Sequence, residues 1–286
     1  MRLYKLPAIV LLTLTCCQPE QEIDWEVDNI PARLVVEGSI TDELKVHTVT
    51  LKTSAEYFSN READVVSNAI VTISSGENTF NLEENPAGSG IYQTTEEVRG
   101  EVGRLYTLNI DIGDPLNNET HFSASSVLRR GIIADTMISV LYDSPFIFND
   151  VDTVILANSV IGYEPEPEGD YYIVNLYRNG TLLNDTVDEY NVVNDKESGM
   201  NGESLFTFIY IENFIVGDTV EMEFRSTSEA YYEFIKGIKM IANGTDPFGF
   251  SGPPANAIGN IEGGGALGFF NASAVTKVRA RVIRQH

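Results

Sequence analysis

Residues 67–74 (SNAIVTIS), 89–94 (SGIYQT) and 103–110 (GRLYTLNI) decide how the first half of this chain folds. Each is a short run rich in β-branched and aromatic residues. Arg104-Leu105-Tyr106-Thr107-Leu108-Asn109-Ile110 alternates polar with apolar at the period of a strand. Between the runs stand Ser75-Gly76-Glu77-Asn78 and Asn85-Pro86-Ala87-Gly88, clusters of the residue types that tight turns need. The pattern extends outward to Arg33-Leu34-Val35-Val36-Glu37, to residues 45–51 and to Thr120-His121-Phe122-Ser123-Ala124. Some seven short strands with turn signals between them predict a β-sandwich of about 100 residues, placed at 30–130.

From residue 131 the pattern restarts. DVDTVILANSVIGY at 150–163 and YYIVNLYR at 171–178 read as strands, and Asn179-Gly180 supplies the positive-φ pair of a tight hairpin turn. Residues 205–216 and 219–225 read as a further pair across Gly217-Asp218, while Glu164-Pro165-Glu166-Pro167-Glu168-Gly169 reads as a polar loop. One segment has a different period. Ser226-Thr227-Ser228-Glu229 matches a capping box, and Tyr231, Phe234, Ile235, Ile238 and Ile241 follow at helical spacing, predicting an amphipathic helix over 227–242. The expected fold is therefore mostly β, with two β-sandwich-like units at 30–130 and 131–286 and one helix in the second.

The amino terminus reads as an address. Arg2 and Lys5 precede the apolar run LPAIVLLTL at 6–14, the layout of a secretory signal peptide and shorter than the roughly 20 residues a membrane-spanning helix needs. No other stretch of the sequence comes near that length. Leu14-Thr15-Cys16-Cys17 resembles the bacterial lipobox, which implies a signal peptide over 1–17 and a lipid-modified Cys17. Residues 18–29 carry five acids and no base, and resemble the acidic export signal that Bacteroidota place after a lipidated cysteine. The expected location is the outer membrane, lipid-anchored and displayed at the cell surface.

Composition narrows the chemistry. With 42 acidic against 19 basic residues and a net charge of -23, a nucleic-acid partner is not expected, because phosphate neutralisation needs clustered Lys and Arg. Two adjacent cysteines offer neither a disulfide framework nor a Cys-rich zinc site. His47, His121 and His286 stand far apart, and no His-Glu-x-x-His, Gly-x-Ser-x-Gly or P-loop pattern occurs, so no catalytic residue and no enzyme is expected. No metal site or cofactor is expected from ligand count either. Two oxygen-rich clusters would nonetheless suit Ca²⁺: Asp111, Asp114, Asn117, Asn118 and Glu119, or Glu164, Glu166, Glu168 and Asp170. Asp-Thr-aliphatic tripeptides at Thr136, Thr153, Thr186 and Thr219 resemble a Bacteroidota O-glycosylation motif. The alternative is that each Asp ends a turn and each Thr begins a strand.

Two resemblances organise these readings. The segment 66–112 is similar to the transthyretin-like or carboxypeptidase-regulatory type of sandwich, usually a scaffold. RLVVEGSIT at 33–41, DYYIVNLYRNG at 170–180 and SGPPANAIGNIEGGGALGFFNASAV at 251–275, with the lipobox, resemble the Bacteroidota lipoproteins of domain of unknown function 4249. That resemblance implies no catalytic residues. It implies a surface lipoprotein working beside an outer-membrane β-barrel partner such as a TonB-dependent receptor. Phe248, Phe250, Phe269 and Phe270, set among flexible residues, are the expected partner contact. The alternative function is a surface module that binds glycan or peptide for nutrient capture, using tyrosines such as Tyr163, Tyr171, Tyr172, Tyr231 and Tyr232.

Overall fold

Along the first strand the alternation in sequence becomes burial: Leu34, Val36 and Ile40 face inward while Glu37 is exposed. The computed structural model describes residues 31–54, 63–148, 151–210, 214–243 and 257–284. The strands of the first half are β1 (Leu34–Thr41), β2 (Thr48–Thr53), β3 (Ile70–Ser75), β4 (Asn78–Glu84), β5 (Ile91–Thr94), β6 (Leu105–Leu116) and β7 (Glu119–Val127). Then come β8 (Ile133–Phe148), β9 (Val151–Tyr163), β10 (Tyr171–Arg178), β11 (Thr181–Leu182) and β12 (Asn191–Asn194), followed by the short helix α1 (Asp195–Ser198). The chain ends through β13 (Leu205–Tyr210), β14 (Thr219–Thr227), α2 (Glu229–Ala242), β15 (Leu267–Ser273) and β16 (Val275–Arg284).

The protein is mostly β, with two sheets that each curl round a core, as the sequence pattern predicts. The first sheet runs β15-β1-β2-β5-β4-β3-β6-β7, and the second β11-β10-β14-β16-β8-β9-β13 with β12 also on β10. Leu51, Ile73, Leu108, Ile110, Phe122 and Phe270 fill the first core. Leu156, Val160, Tyr172, Met222 and Phe224 fill the second. Each such side chain removed from water contributes about 1.5–3 kcal/mol.

The first sheet is closed by its last strand. β15 pairs parallel to β1, with Val36 opposite Gly268 and Gly38 opposite Phe270, and its other side faces β7. There Ala272 N–H donates to Ser126 Oγ at 3.0 Å. The Asn260 side chain works as a clasp: its Nδ2 donates to the carbonyls of Ser125 and Phe270, and its Oδ1 accepts from Phe270 N–H. A side-chain amide thus stands where a strand's peptide group would, satisfying edge atoms that would otherwise be unpaired.

After Ala274 the same extended run leaves the first sheet and becomes β16, inserted in the second between β14 and β8. Residues 267–284 therefore belong to both sheets, and Pro31–His286 cluster as one compact unit. The transition is fixed by Asp42, whose N–H donates to Ser273 O and whose Oδ1 accepts from Val275 N–H. Beside it Lys277 donates to Glu43 at 2.7 Å and lies 3.2 Å from the buried Glu223, itself bonded by Arg225. Burial acts to raise the Glu43 carboxyl, but hydrogen bonds from Lys277 and Lys45 outweigh it and hold the group at about 2.

The helix starts two residues later than the sequence pattern predicts. Ser228, not Ser226, caps α2, its side chain accepting from Tyr231 N–H. Ser226 and Thr227 finish β14, because their hydroxyls are taken by long-range partners: Ser226 bonds Arg129 O and Ala274 N–H, and Thr227 bonds Asn271. Tertiary bonding decides between two acceptable caps.

Two outcomes test this account. A Cβ at Gly268 (φ +95°) would lie 1.9 Å from the Val36 carbonyl oxygen, whereas one at Gly76 (φ +61°) meets nothing within 4 Å. Gly268→Ala is expected to cost about 2 kcal/mol or more, and Gly76→Ala about 1 kcal/mol. Thermal melts showing equal losses would refute the close β1–β15 pairing. For Glu43, a folded-state value depressed below the ordinary 4.5 means its contribution is full above pH 4.5 and fades as pH falls toward 2. Glu43→Gln should therefore lower Tm at pH 7, with the gap to wild type closing between pH 4.5 and 2; a gap independent of pH would contradict the network.

Candidate functional site

The polar loop between β9 and β10 turns inward at both ends. Glu164 is 0% exposed and Asp170 3%, while Glu166 and Glu168 between them point to solvent. β12 pairs with β10 so that Tyr171 stands opposite Asn194, which delivers Asp195, the first residue of α1 and 1% exposed, to the same place. One carboxylate oxygen from each of Glu164, Asp170 and Asp195 lies within 4.8 Å of the others. Of the four acids the sequence suggested, the structure therefore brings together two. It adds a third from 25 residues further on, for which no local sequence signal exists.

Each carboxylate has a different partner set. Asp170 is paired with Arg130, whose Nε donates to Oδ2 at 2.9 Å, and Arg129 stands 3.5 Å from Oδ1. The rest of the Arg130 guanidinium wraps the loop, donating to the carbonyls of Pro165, Glu166 and Pro167. Asp195 Oδ2 accepts the backbone N–H groups of Gly169 and Asp170. Glu164 Oε1 accepts the Tyr172 hydroxyl at 2.8 Å, while its Oε2 is buried with no hydrogen-bond partner. Burial pushes the Glu164 carboxyl up; the Tyr172 bond works against that, and the charges of Asp195 and Asp170 add to it. Tyr172 itself is held far above its ordinary value by burial and by Glu164. The turn after α1 completes the knot: Met200 N–H donates to Asp195 O and Gly202 N–H to Glu164 O, and Asn201 between them buries an unpartnered Oδ1.

The other oxygen-rich stretch makes no such cluster. Asp111, Asp114, Asn117 and Asn118 are exposed around the β6–β7 turn. Asn117 and Asn118 take positive φ there, Asp111 pairs with His121, and Glu119 accepts from the N–H groups of Thr120 and His121. Turn geometry accounts for their composition.

A second surface feature lies on the outer face of the second sheet. Ile283, Val140, Ala157 and Ile209 stand directly opposite one another across β16, β8, β9 and β13. Ile283 is 52% and Ile209 66% exposed, and exposed Ile138 lies beside the row, while exposed Ile161 and Leu205 stand beyond the hydrogen-bonded Ser159 and Thr207. The connection into β14, whose Gly217 N–H donates to Val282 O, adds exposed Ile215 and Val216. Exposed apolar side chains thus line up across four strands of this face, with Ser159, Thr207 and exposed Arg281 beside them.

The aromatic contact expected at Phe248, Phe250, Phe269 and Phe270 needs correction. Phe248 and Phe250 lie outside the described residues. Phe269 and Phe270 are buried: Phe270 sits in the first core, and Phe269 packs on Tyr231 and Phe234 of α2 with ring centroids at 4.7 and 5.3 Å. Alternation along β15 sends one ring to each side of the strand, and both sides are covered. Tyr172 and Tyr232 are likewise buried, so those tyrosines form no exposed platform. Cys17 and the acidic tether lie outside the described residues. Thr136 and Thr186 are exposed, Thr153 falls on β9, and Thr219 is half-buried where β14 leaves its turn.

Among the described residues no helix is long and apolar enough to cross a membrane. A comparison with curated proteins gives no match. The model of the family described as Domain of unknown function (DUF4249) matches residues 20–279, a span that takes in strands of both sheets and the carboxylate knot, and the chain belongs to that family.

Proposed function

We propose that this chain is a lipid-anchored lipoprotein of the outer membrane, exposed at the cell surface, that serves as a non-enzymatic accessory subunit of an outer-membrane β-barrel. A TonB-dependent receptor is the partner that the family resemblance favours. The observation that carries the reading is the apolar row Ile283–Val140–Ala157–Ile209 on an otherwise acidic protein. On a strongly acidic surface, a row of exposed apolar side chains across four strands is unusual, and burial against a partner is its common use. Leu14-Thr15-Cys16-Cys17 supports the anchor, since a diacylated and amine-acylated cysteine buries enough methylene to hold a protein on a bilayer. The acidic tether of residues 18–29 supports surface display.

Affinity purification of the full-length chain from native membranes in mild detergent tests the association. Wild type is expected to bring down a barrel protein in near-equal amount, and Ile209→Asp with Ile283→Asp to lose it while melting within a few degrees of wild type. Repeated recovery of the wild type alone would sink the proposal. Cys17→Ser is expected to move the protein from the membrane pellet to the soluble fraction; unchanged fractionation would remove the lipid anchor.

A further inference from the structure

We infer that Glu164, Asp170 and Asp195 form a binding site for one divalent cation, Ca²⁺ by the chemistry of the donors. The donor set is oxygen only, with no His or Cys in the group, which suits a hard cation and not zinc. Oxygens that share one Ca²⁺ at 2.3–2.6 Å lie at most about 5 Å apart. The three carboxylate oxygens here fall within 4.8 Å of one another, inside that limit. Mg²⁺ fits less well, because it keeps several waters and this site is closed over by protein.

Charge accounting points the same way. Asp170 is matched by Arg129 and Arg130, and Asp195 Oδ2 is met by two backbone N–H groups. Glu164 Oε1 has the Tyr172 hydroxyl, while Oε2 of the same fully buried carboxylate has no hydrogen-bond partner. An isolated buried carboxylate is too costly to leave uncompensated. An oxygen has two lone pairs, so Asp170 can keep its arginines and still face the ion. The ion would join three separate pieces of chain: the exit of β9, the entry of β10 and the first turn of α1.

The experiment uses the full-length lipidated chain in detergent, stripped with EDTA, exchanged into chelator-free buffer and titrated with CaCl₂ by calorimetry. Wild type is expected to bind about one Ca²⁺, and its Tm to rise by about 5–10 °C at a hundredfold excess over Kd. Glu164→Gln, which keeps an acceptor for Tyr172, and Asp195→Asn are expected to lose both the heat and the rise. The inference is overturned if wild type shows neither, which would leave a proton as the neutralising cation. It is equally overturned if Glu164→Gln keeps the rise, which would assign binding to the acidic surface. Should Asp195→Asn fail to fold, wild type and Glu164→Gln decide the matter alone.

Discussion

One extended run, residues 267–284, holds this structure together. Its first part is the parallel neighbour of β1 and closes the first sheet against β7; its second part is inserted in the middle of the other sheet. A strand cannot slip in one sheet without moving in the other, so the registers of the two sheets are coupled through seven residues on one side of Ala274 and ten on the other. Parallel pairing of β15 with β1 joins residues more than 200 positions apart. Contacts of that separation form only after a large loss of chain entropy, and are slow for that reason. The Asp42 bonds on either side of Ala274, and the Glu43–Lys277–Glu223 ion pairs beside them, fix the crossing point once it has formed.

What the sequence reveals follows from what periodicity encodes. Alternation along 104–110 states which side chains of β6 are buried, and Tyr106, Leu108 and Ile110 are indeed in the first core. It does not name a strand's neighbours. The segment GGGALGFFNAS falls in the second unit that the pattern predicts at 131–286, yet its hydrogen bonds go to β1 in the first sheet. Gly268 carries the one physical hint, because a positive φ beside a carbonyl oxygen is where glycine is required. Phe269 and Phe270 mislead for a related reason: aromatic rings beside glycines suggest a recognition loop when nothing in the sequence says that both faces of the strand are covered.

The carboxylate knot was half legible for the same cause. Glu164 and Asp170 share one loop, so their proximity follows from chain connectivity. Asp195 arrives through the pairing of β12 with β10, a register that no local pattern fixes. Burial was hidden as well, since a Glu-Pro run looks solvated and Glu166 and Glu168 are. The difference lies with Arg130, which turns its guanidinium into the loop's carbonyls and draws the Asp170 end of the loop inward.

The knot and the apolar face are parts of one arrangement. Gly162 N–H donates to Ser204 O, Glu164 N–H to Glu203 O and Gly202 N–H to Glu164 O, so the backbone around Glu164 is the point from which β13 begins to pair with β9. Those two strands supply Ala157, Ile161, Leu205 and Ile209 to the exposed face. Among the described residues β13 is the last strand of its sheet and has a single neighbour, so its register rests on that start point and on Phe206 and Phe208 packing on Phe224. A shift of one residue would turn Leu205 and Ile209 inward and Phe206 outward. The backbone bonds around Glu164 thus also hold the outer strand in the register that leaves Leu205 and Ile209 exposed.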